Sequence, residues 1–325
     1  MNIIYKSSDI NNDSLLEILK LWNEEMGLVY PITLKAFKQN VINYSSKECL
    51  LAYCDNKLVG FIVLKSFSDE ILPTYSGDLF ISLFYVSRDY RKNGIGSKLI
   101  DFAKEKSNNR SLCVGKDIDN FFPGIPTDFD NLTDVWLEKR GFEGTRYTHD
   151  LISYNPITYP LINKKVKYEV CGESRKDEFL TFLQNNNWTR WVYEAKDYFL
   201  NKEQKEKDAF IIGTVDNKII SFVRVNSSKN DIVAYNVMWQ ERFTNLGGIG
   251  PLGVDKSYRH HELGRDLISV AIEELKKRGA KEFIIDWTGL MEFYRLFGFE
   301  VWKSYKYMKY KNNNENNWKH LQIIA

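Results

Sequence analysis

The stretch YRKNGIGSKLI at residues 90–100 aligns without gaps with YRHHELGRDLI at residues 258–268. The identities between the two stretches are Tyr90/Tyr258, Arg91/Arg259, Gly96/Gly264, Leu99/Leu267 and Ile100/Ile268. Each stretch follows an Asp-Asn pair and precedes a Gly-Phe pair, in the same order. Because self-similarity of this kind is the signature of a repeated structural unit, the sequence predicts two copies of one domain.

The length and composition of the chain fit two globular domains. The 325 residues are 43% hydrophobic and 27% charged, and a domain usually has roughly 100 to 200 residues. The first copy is longer by the segment FFPGIPTDFDN at residues 121–131, whose prolines and glycine predict an inserted loop. The segment NPITYPLINKK at residues 155–165 suits a short linker, so the predicted domains are residues 1–158 and 163–325.

The charge balance gives no sign of a polyanionic partner. Lys plus Arg number 45 and Asp plus Glu 43, so we expect neither a nucleic acid nor a membrane surface as partner. The four cysteines lack metal-binding spacing, so we expect no metal site. The sequence contains no apolar run of membrane-spanning length and no leader pattern, which predicts a cytoplasmic protein of unknown oligomeric state.

The coarse secondary structure is the same in both copies. Two apolar runs joined by an Asp-Asn pair predict an antiparallel hairpin, and a strand at residues 79–86 leads directly into the glycine-containing loop. A helix is predicted after the loop at residues 97–107. The second copy is predicted to have strands at 208–214, 219–225, 247–254 and 282–288 and helices at 265–278 and 289–297. This order indicates an α/β fold with a mixed α+β sheet between two helical layers.

The loop between strand and helix has the composition of an anion site. Glycines at positions 94 and 96 let the backbone approach an anion closely, and the N–H groups of the first helical turn point toward it. Arg91 and Lys92 add positive charge. A Gly-containing turn that binds nothing remains open as an alternative. A P-loop nucleotide site is disfavoured because the loop lacks Gly-Lys-Ser/Thr, and a dinucleotide-binding site is disfavoured because the third glycine is missing.

Val86 and the loop resemble the acetyl-CoA signature of the GNAT acyltransferase superfamily, Val-x-x-x-x-[Arg/Gln]-x-x-Gly-x-[Gly/Ala]. The resemblance covers each half nearly end to end, and the tandem arrangement is similar to that of mycothiol synthase. It implies that Phe84, Tyr85 and Val86 line the pantetheine arm of acetyl-CoA. It also implies that the pyrophosphate lies on Arg91, Lys92, Asn93, Gly94, Ile95, Gly96 and Ser97, with Val254, Arg259 and Gly264 as counterparts in the second copy.

The two copies depart from the family pattern in different ways. Glu262 replaces the first loop glycine of the second copy, which predicts weaker binding there unless His260, His261 and Arg265 compensate. We therefore expect acetyl-CoA mainly in the first copy. Tyr294 occupies the position from which family members protonate the departing thiolate, although a core aromatic is the alternative reading. The first copy has Leu137 at that position.

The implied reaction is direct attack of an amine on acetyl-CoA, with a small molecule or a peptide as acceptor. No carboxylate lies on the third strand of either copy, and Asp78 and Asp286 are candidate bases that are also typical of solvated turns. The loop at residues 121–131 is expected to form an acceptor site or to pack over the sheet. A non-catalytic acyl-CoA-binding or partner-binding module is the alternative function. A cell-wall aminoacyl transferase is disfavoured by the intact RKNGIG loop.

Overall fold

The computed structural model describes residues 2–8, 10–42, 46–129, 132–144, 146–202, 204–259 and 262–311. The chain divides into two compact units. Unit 1 comprises Met1–Asp69, Pro73–Thr148 and Lys303–Ala325, and unit 2 comprises Glu70–Leu72 and His149–Trp302. Elements are numbered along the chain.

Unit 1 is built on a seven-stranded sheet of order β1-β2-β3-β4-β5-β15-β7. Its seven strands are β1 (Ile3–Ser8), β2 (Lys47–Cys54), β3 (Lys57–Ser66), β4 (Asp78–Val86), β5 (Ser111–Val114), β7 (Phe142–Glu143) and β15 (Met308–Tyr310). The two-residue strand β6 (Ile125–Pro126) lies outside this sheet. The helices are α1 (Asn12–Met26), α2 (Leu34–Phe37), α3 (Pro73–Ser76), α4 (Ile95–Ser107) and α5 (Thr133–Glu138).

The second sheet has eight strands in the order β6-β14-β8-β13-β12-β11-β10-β9, and its unit 2 strands repeat the arrangement of unit 1. The unit 2 strands are β8 (Tyr147–Ser153), β9 (Lys167–Val170), β10 (Phe210–Val215), β11 (Lys218–Ser227), β12 (Leu246–Val254), β13 (Glu282–Thr288) and β14 (Glu300–Lys306). The helices are α6 (Lys176–Asn185), α7 (Thr189–Leu200), α8 (Leu263–Lys277) and α9 (Met291–Arg295). The α/β fold with a mixed sheet is thus confirmed in both copies.

Both predicted hairpins form, and the Asp-Asn pairs make their turns. Asp55 and Asn56 have φ of 49° and 62°, and Asp216 and Asn217 have φ of 47° and 63°. These left-handed conformations suit a two-residue hairpin, and Asp and Asn tolerate them better than other non-glycine residues. The turns fix the registers of β2 with β3 and of β10 with β11.

The identities of the repeat include the buried face of one helix in each unit. Leu99 and Ile100 of α4 are 0% and 1% exposed, and Leu267 and Ile268 of α8 are both 0% exposed. Each pair belongs to the main hydrophobic cluster of its unit. Burial of such side chains, roughly 1.5 to 3 kcal/mol each, holds the helix that follows the loop against its sheet.

The compact units do not coincide with the sequence halves 1–158 and 163–325. Residues 303–311 belong to unit 1, because β15 pairs antiparallel with both β5 and β7. Residues 149–158 belong to unit 2, because β8 pairs antiparallel with β13. A linear division cannot anticipate this, since strand pairing depends on partners that are distant along the chain.

The segment between α1 and β2 contains the short helix α2 followed by a π-helical turn at Lys38–Ile42. His260, His261 and Asp130 lie outside the described residues. Within the described ranges, no helix is both long and apolar enough to cross a membrane. All four cysteines are buried free thiols.

Candidate active site

In each unit, two neighbouring parallel strands separate partway along their length. In unit 1 the ladder between β4 and β5 ends at Ile81 and Val114. In unit 2 the ladder between β12 and β13 ends at Ile249 and Ile285. The later residues of β4 and β12 remain paired with β3 and β11. Beyond Ile249 and Ile285 the strands of unit 2 diverge, and we call this gap the unit 2 cleft.

The glycine-containing loops follow the diverging strands and have the same backbone course in both units. A 3₁₀ turn at Arg88–Tyr90 precedes α4, and a 3₁₀ turn at Lys256–Tyr258 precedes α8. The helices α4 and α8 then expose the unpaired N–H groups of their first turns at the end of the loop. The loop is therefore a suitable place for an anion in both units.

The spacing of Val and Arg in the repeat has a structural cause. The Arg91 Nε donates to the carbonyl of Val86 at 3.0 Å, and the Arg259 Nε donates to the carbonyl of Val254 at 3.3 Å. Each arginine thus binds the last carbonyl of its strand and fixes the start of the loop. The Arg91 guanidinium also lies 5.3 Å from the ring centroid of Tyr85, whose hydroxyl donates to Glu25 at 3.0 Å.

Gly94 and Glu262 hold the same position, the residue before the helix. Both are left-handed, with φ of 78° and 61°. A side chain at Gly94 would enter open space, since no heavy atom lies within 4 Å of a Cβ built there. Glu262 is exposed, so its carboxylate is at the loop surface. The backbone strain at Glu262 indicates that the loop geometry is kept although its glycine is absent.

In unit 1, helix α5 is fastened to the loop. The ring of Trp136 stacks on Phe84 with centroids 6.1 Å apart, and a Cβ on Gly96 would lie 3.4 Å from Trp136. Arg140 packs its guanidinium 3.7 Å from the Trp136 centroid and donates to the Ser97 hydroxyl at 2.7 Å. Phe84 and Ser97, both predicted to touch acetyl-CoA, are therefore engaged with α5.

Asp286 lies in the unit 2 cleft. It is the first residue of β13 beyond the paired Ile285, and its Oδ1 would lie 3.7 Å from a Cβ on Gly250 of β12. The side-chain amide of Asn236 donates to the same Oδ1 at 3.2 Å. Part of Asp286 remains exposed. A carboxylate is thus available at the point where the strands separate.

The surroundings of Asp286 favour its protonated form. Burial in dense protein and the nearby charge of Asp150 raise the pKa of Asp286 to about 7, and the hydrogen bond from Asn236 partly opposes this rise. Asp150 itself is fixed by the backbone N–H of Trp287, which donates to its Oδ1 at 3.0 Å. A carboxyl group that titrates near neutral pH is suited to accept and release a proton.

Tyr294 belongs to the same cluster. It lies on α9, is 6% exposed, and has a raised pKa because of burial and the charge of Asp286. The side chain of Thr288, the last residue of β13, is its hydrogen-bond partner. The Tyr294 hydroxyl therefore stays protonated at neutral pH and can act as a proton donor.

Unit 1 lacks both titratable groups at the corresponding positions. The residue after the end of its ladder is Gly115, where unit 2 has Asp286, and Leu137 stands in place of Tyr294. Unit 1 instead contains a buried ion pair between Lys65 and Asp117 at 2.6 Å, with both side chains 1% exposed. Ser82, on the diverging part of β4, donates to Asp117 at 2.8 Å.

The loop at residues 121–129 and Asp78 serve packing in unit 1. Phe121 and Phe122 are buried, and Phe129 packs on Trp22 and Tyr30. Asp128 binds the hydroxyl of Tyr30 and the ammonium of Lys303. The structure therefore favours the packing alternative for this loop. Asp78, the other candidate base, pairs with Lys309 at 3.3 Å.

Comparison with known proteins identifies the family. The family model described as the acetyltransferase (GNAT) family matches residues 13–120 and 176–299, which together are more than half of the chain. The chain belongs to the GNAT family. The two matched segments fall in the two predicted copies, so the tandem arrangement is confirmed.

Among curated proteins, an uncharacterized N-acetyltransferase of Methanocaldococcus jannaschii is 28% identical over 124 residues. The match covers 37% of this chain and 48% of the relative, so it spans about half of that protein.

Solved GNAT structures share the fold over almost the whole chain. The glucosamine N-acetyltransferase region of a fungal multi-domain GH3 β-N-acetylglucosaminidase has a TM-score of 0.82 at 20% identity, covering 95% of this chain and 38% of that one. A GNAT protein of Sphaerobacter thermophilus has a TM-score of 0.67 at 13% identity, covering 94% and 95% of the two chains. A tandem GNAT protein of the clavulanic acid pathway has a TM-score of 0.67 at 11% identity, covering 95% and 98%.

The sequence predicts the GNAT loop and Tyr294 as site residues, but no pattern in it indicates how the unit 2 cleft is assembled. It offers Asp286 as a candidate base that is also typical of a solvated turn, and nothing in it marks Asp150 or Asn236. Asp150, Asn236 and Asp286 lie on separate segments, and no local spacing connects them. Across the described ranges there is no cluster of three or more His, Cys, Asp or Glu side chains placed to hold a metal ion.

Proposed function

We propose that this GNAT protein transfers an acetyl group from acetyl-CoA to an amine and that the reaction takes place in the unit 2 cleft. One observation carries the proposal. Asp286 lies where β12 and β13 diverge and interacts electrostatically with Tyr294, whereas the equivalent positions of unit 1 hold Gly115 and Leu137. A carboxyl group that titrates near neutral pH and a hydroxyl that stays protonated are groups suited to act as base and acid in catalysis.

In this proposal Asp286 is the general base and Tyr294 the general acid. Asp286 accepts a proton from the acceptor ammonium, and the neutral amine nitrogen then attacks the thioester carbon. As the carbon–sulfur bond breaks, the Tyr294 hydroxyl donates its proton to the departing thiolate. The attacking nitrogen loses its second proton to solvent as the intermediate collapses, so the products are an N-acetyl amide and CoA. Asp286 then releases its proton to solvent, and the tyrosinate regains one from solvent. Backbone N–H groups of β12 beyond Ile249 are the donors available to polarise the carbonyl.

The binding of acetyl-CoA is proposed to use the loops of both units. The first-turn N–H groups of α8, with Val254, Arg259 and Gly264, would hold the pyrophosphate in unit 2. In unit 1 the corresponding residues are Phe84, Tyr85, Val86 and 91–97. Their geometry fits an anion, because both loops end in a left-handed residue before a helix and both arginines are fixed to the preceding strand.

The acceptor is proposed to be a cationic amine. Asp286, Asp150 and Glu194 interact electrostatically around the cleft, and such a group of carboxylates attracts an ammonium. A glucosamine N-acetyltransferase region has the same fold, so glucosamine belongs in the first acceptor panel, beside polyamines and peptide amines.

A second role, non-catalytic binding, is favoured for unit 1 alone. Unit 1 has both loop glycines. However, Gly115 has no side chain that could act as a base, and Leu137 has no proton to donate. Acetyl-CoA held there would not be turned over. Unit 1 is then a binding or scaffold unit within an enzyme whose chemistry belongs to unit 2.

The test compares Asp286→Asn with Asp117→Asn. We expect Asp286→Asn to lower kcat/KM by about 10² to 10⁴, the usual contribution of acid–base catalysis, with little change in Tm. Asp117→Asn should lower Tm through loss of the partner of Lys65 and leave kcat/KM close to wild type. In the wild type, kcat/KM should rise with pH through about 7, because Asp286 must be deprotonated to act as a base.

The opposite pattern would move the chemistry to unit 1. If Asp117→Asn abolished turnover while Asp286→Asn retained it, the proposal for the unit 2 cleft would be wrong.

A further inference from the structure

Two buried asparagines of unit 2 form a hydrogen-bonded chain that ends on Asp286. The Asn226 Nδ2, on β11, donates to the Asn236 Oδ1 at 2.9 Å. The Asn236 Nδ2 donates to the carbonyl of Gly250 at 3.3 Å and to the Asp286 Oδ1 at 3.2 Å. Asn226 and Asn236 are only 2% and 5% exposed.

The direction of this chain is set by a group that can only accept. A backbone carbonyl cannot donate, so the carbonyl of Gly250 requires the NH₂ group of Asn236 to face it. The Asn236 Oδ1 must then face Asn226, which has to donate through its own Nδ2. With this polarity, the amide of Asn236 always presents a donor to Asp286 and stabilises the carboxylate form.

The space for this chain is built into the glycines of β12. A Cβ at Gly248 would lie 2.0 Å from the Asn236 Oδ1, so a larger residue there would displace Asn236. The Asn236 amide also bridges Gly250 on β12 and Asp286 on β13, the two strands that diverge. Unit 1 has Lys65 at the position of Asn226, as the strand registers show, and this lysine forms a buried ion pair with Asp117 instead.

From this geometry we propose that Asn236 is the positioning residue of the unit 2 cleft and that Asn226 sets its orientation. Together they hold the carboxylate of Asp286 against the diverging strand in the orientation that faces the acceptor amine. This inference rests on the proposed function only where it states that the oriented carboxylate faces the acceptor amine. The hydrogen-bonded chain itself can be measured without turnover.

Other ionisable groups lie near Asp286 and can influence its pKa. Asp150 on β8 and Glu194 on α7 raise its pKa, and Tyr294 on α9 interacts with it. Arg190 on α7 pairs with Glu194 at 2.7 Å and lies 4.5 Å from the Trp287 ring. His149 lies opposite Thr288 in the ladder of β8 with β13. A test should therefore vary the asparagines, which are uncharged, and leave these groups intact.

The experiment is a pH titration of Asp286 in the full chain, monitored by NMR of aspartate labelled with ¹³C at Cγ. The Asp286 signal is assigned by its absence in Asp286→Asn. Asn236→Ala should raise the pKa of Asp286 by about one unit, the size of a hydrogen bond to a charged group. Asn226→Leu should shift it in the same direction by less. Asn186→Ala is the matched control, because this buried amide donates to the Phe182 carbonyl at 3.0 Å, and it should leave the titration unchanged.

An unchanged or lowered pKa in Asn236→Ala would overturn the positioning role. If Asn236→Ala does not fold, Asn226→Leu decides, and an unchanged pKa in that variant would overturn the chain from Asn226. Failure of the proposed function looks different: the pKa shifts as expected while Asp286→Asn still transfers acetyl groups to the amine panel.

Discussion

The two units share a loop but differ in the cleft beside it. Each loop follows a strand that diverges from its neighbour. An arginine at the start of the loop donates to the last carbonyl of that strand, and a left-handed residue lies at the end of the loop. Beyond the loop, unit 2 exposes Gly250, Pro251 and Leu252 partly to solvent and places Asp286 opposite them. Unit 1 has Gly115 at the position of Asp286, and Lys65 at the position of Asn226 forms a buried ion pair with Asp117. The two units therefore share a loop whose geometry suits an anion, and they differ in the residues on the neighbouring strand.

The largest expected effect is on the folding of unit 1 when the chain is cut between the two sequence halves. A fragment of residues 1–158 lacks β15, which lies between β5 and β7 in the unit 1 sheet. It also lacks Lys303 and Lys306, the partners of Asp128, Asp134 and Glu138. We expect this fragment to show no cooperative thermal transition by circular dichroism, because the loss of the interior strand β15 also leaves the edge strand β7 without its partner in the sheet.

A matched chain restores the missing strand. Arg146 already accepts a hydrogen bond from the N–H of Tyr307 at 2.9 Å, so residues 1–146 can be joined to residues 303–311 through a Gly/Ser linker of about ten residues. This chain should melt cooperatively. Equal melting of the two chains would show that β15 is dispensable and that the sequence halves are the folding units.

A smaller effect is expected for the proton donor. Tyr294→Phe should lower kcat about 10- to 100-fold and leave KM for acetyl-CoA nearly unchanged, because a thiolate can also leave without a proton donor. Steady-state kinetics with several amines will measure this. Tyr159→Phe is the control, since its hydroxyl donates to the carbonyl of Leu296 at 2.8 Å on an exposed part of unit 2. Full activity of Tyr294→Phe would assign Tyr294 to the hydrophobic core alone.

The smallest effect concerns the loops and sharpens the comparison between the units. Gly94→Glu copies Glu262 into unit 1 and should weaken acetyl-CoA binding there by about tenfold, or roughly 1.4 kcal/mol, by adding negative charge and left-handed strain. The reciprocal Glu262→Gly should strengthen binding in unit 2. Calorimetric titration resolves both changes. If Gly94→Glu binds normally and a substitution at Gly264 does not, acetyl-CoA belongs to unit 2 alone.

The sequence by itself determined the features that depend on neighbouring residues. The repeat, the Asp-Asn hairpins and the loop could be recognised because each imposes a local backbone demand: left-handed φ at Asn56 and Gly94, or a short reach from Arg91 to Val86. The helices predicted at 97–107 and 265–278 contain the repeat identities Leu99/Leu267 and Ile100/Ile268, and these lie on α4 and α8. Local rules of this kind hold whatever the tertiary context.

Only the tertiary structure decided which strand completes which sheet and which carboxylate faces the cleft. The pairing of β15 with β5 joins Met308 to Val114, and the site joins Asp150, Asn236 and Asp286. These positions are separated by tens to hundreds of residues, and nothing in their own neighbourhoods distinguishes them. Their proximity follows from the registers of long-range ladders, where a slip of one residue would turn Asp286 to the other face of its sheet. The pKa of Asp286 depends on that packing because burial and an adjacent charge exist only in the folded chain.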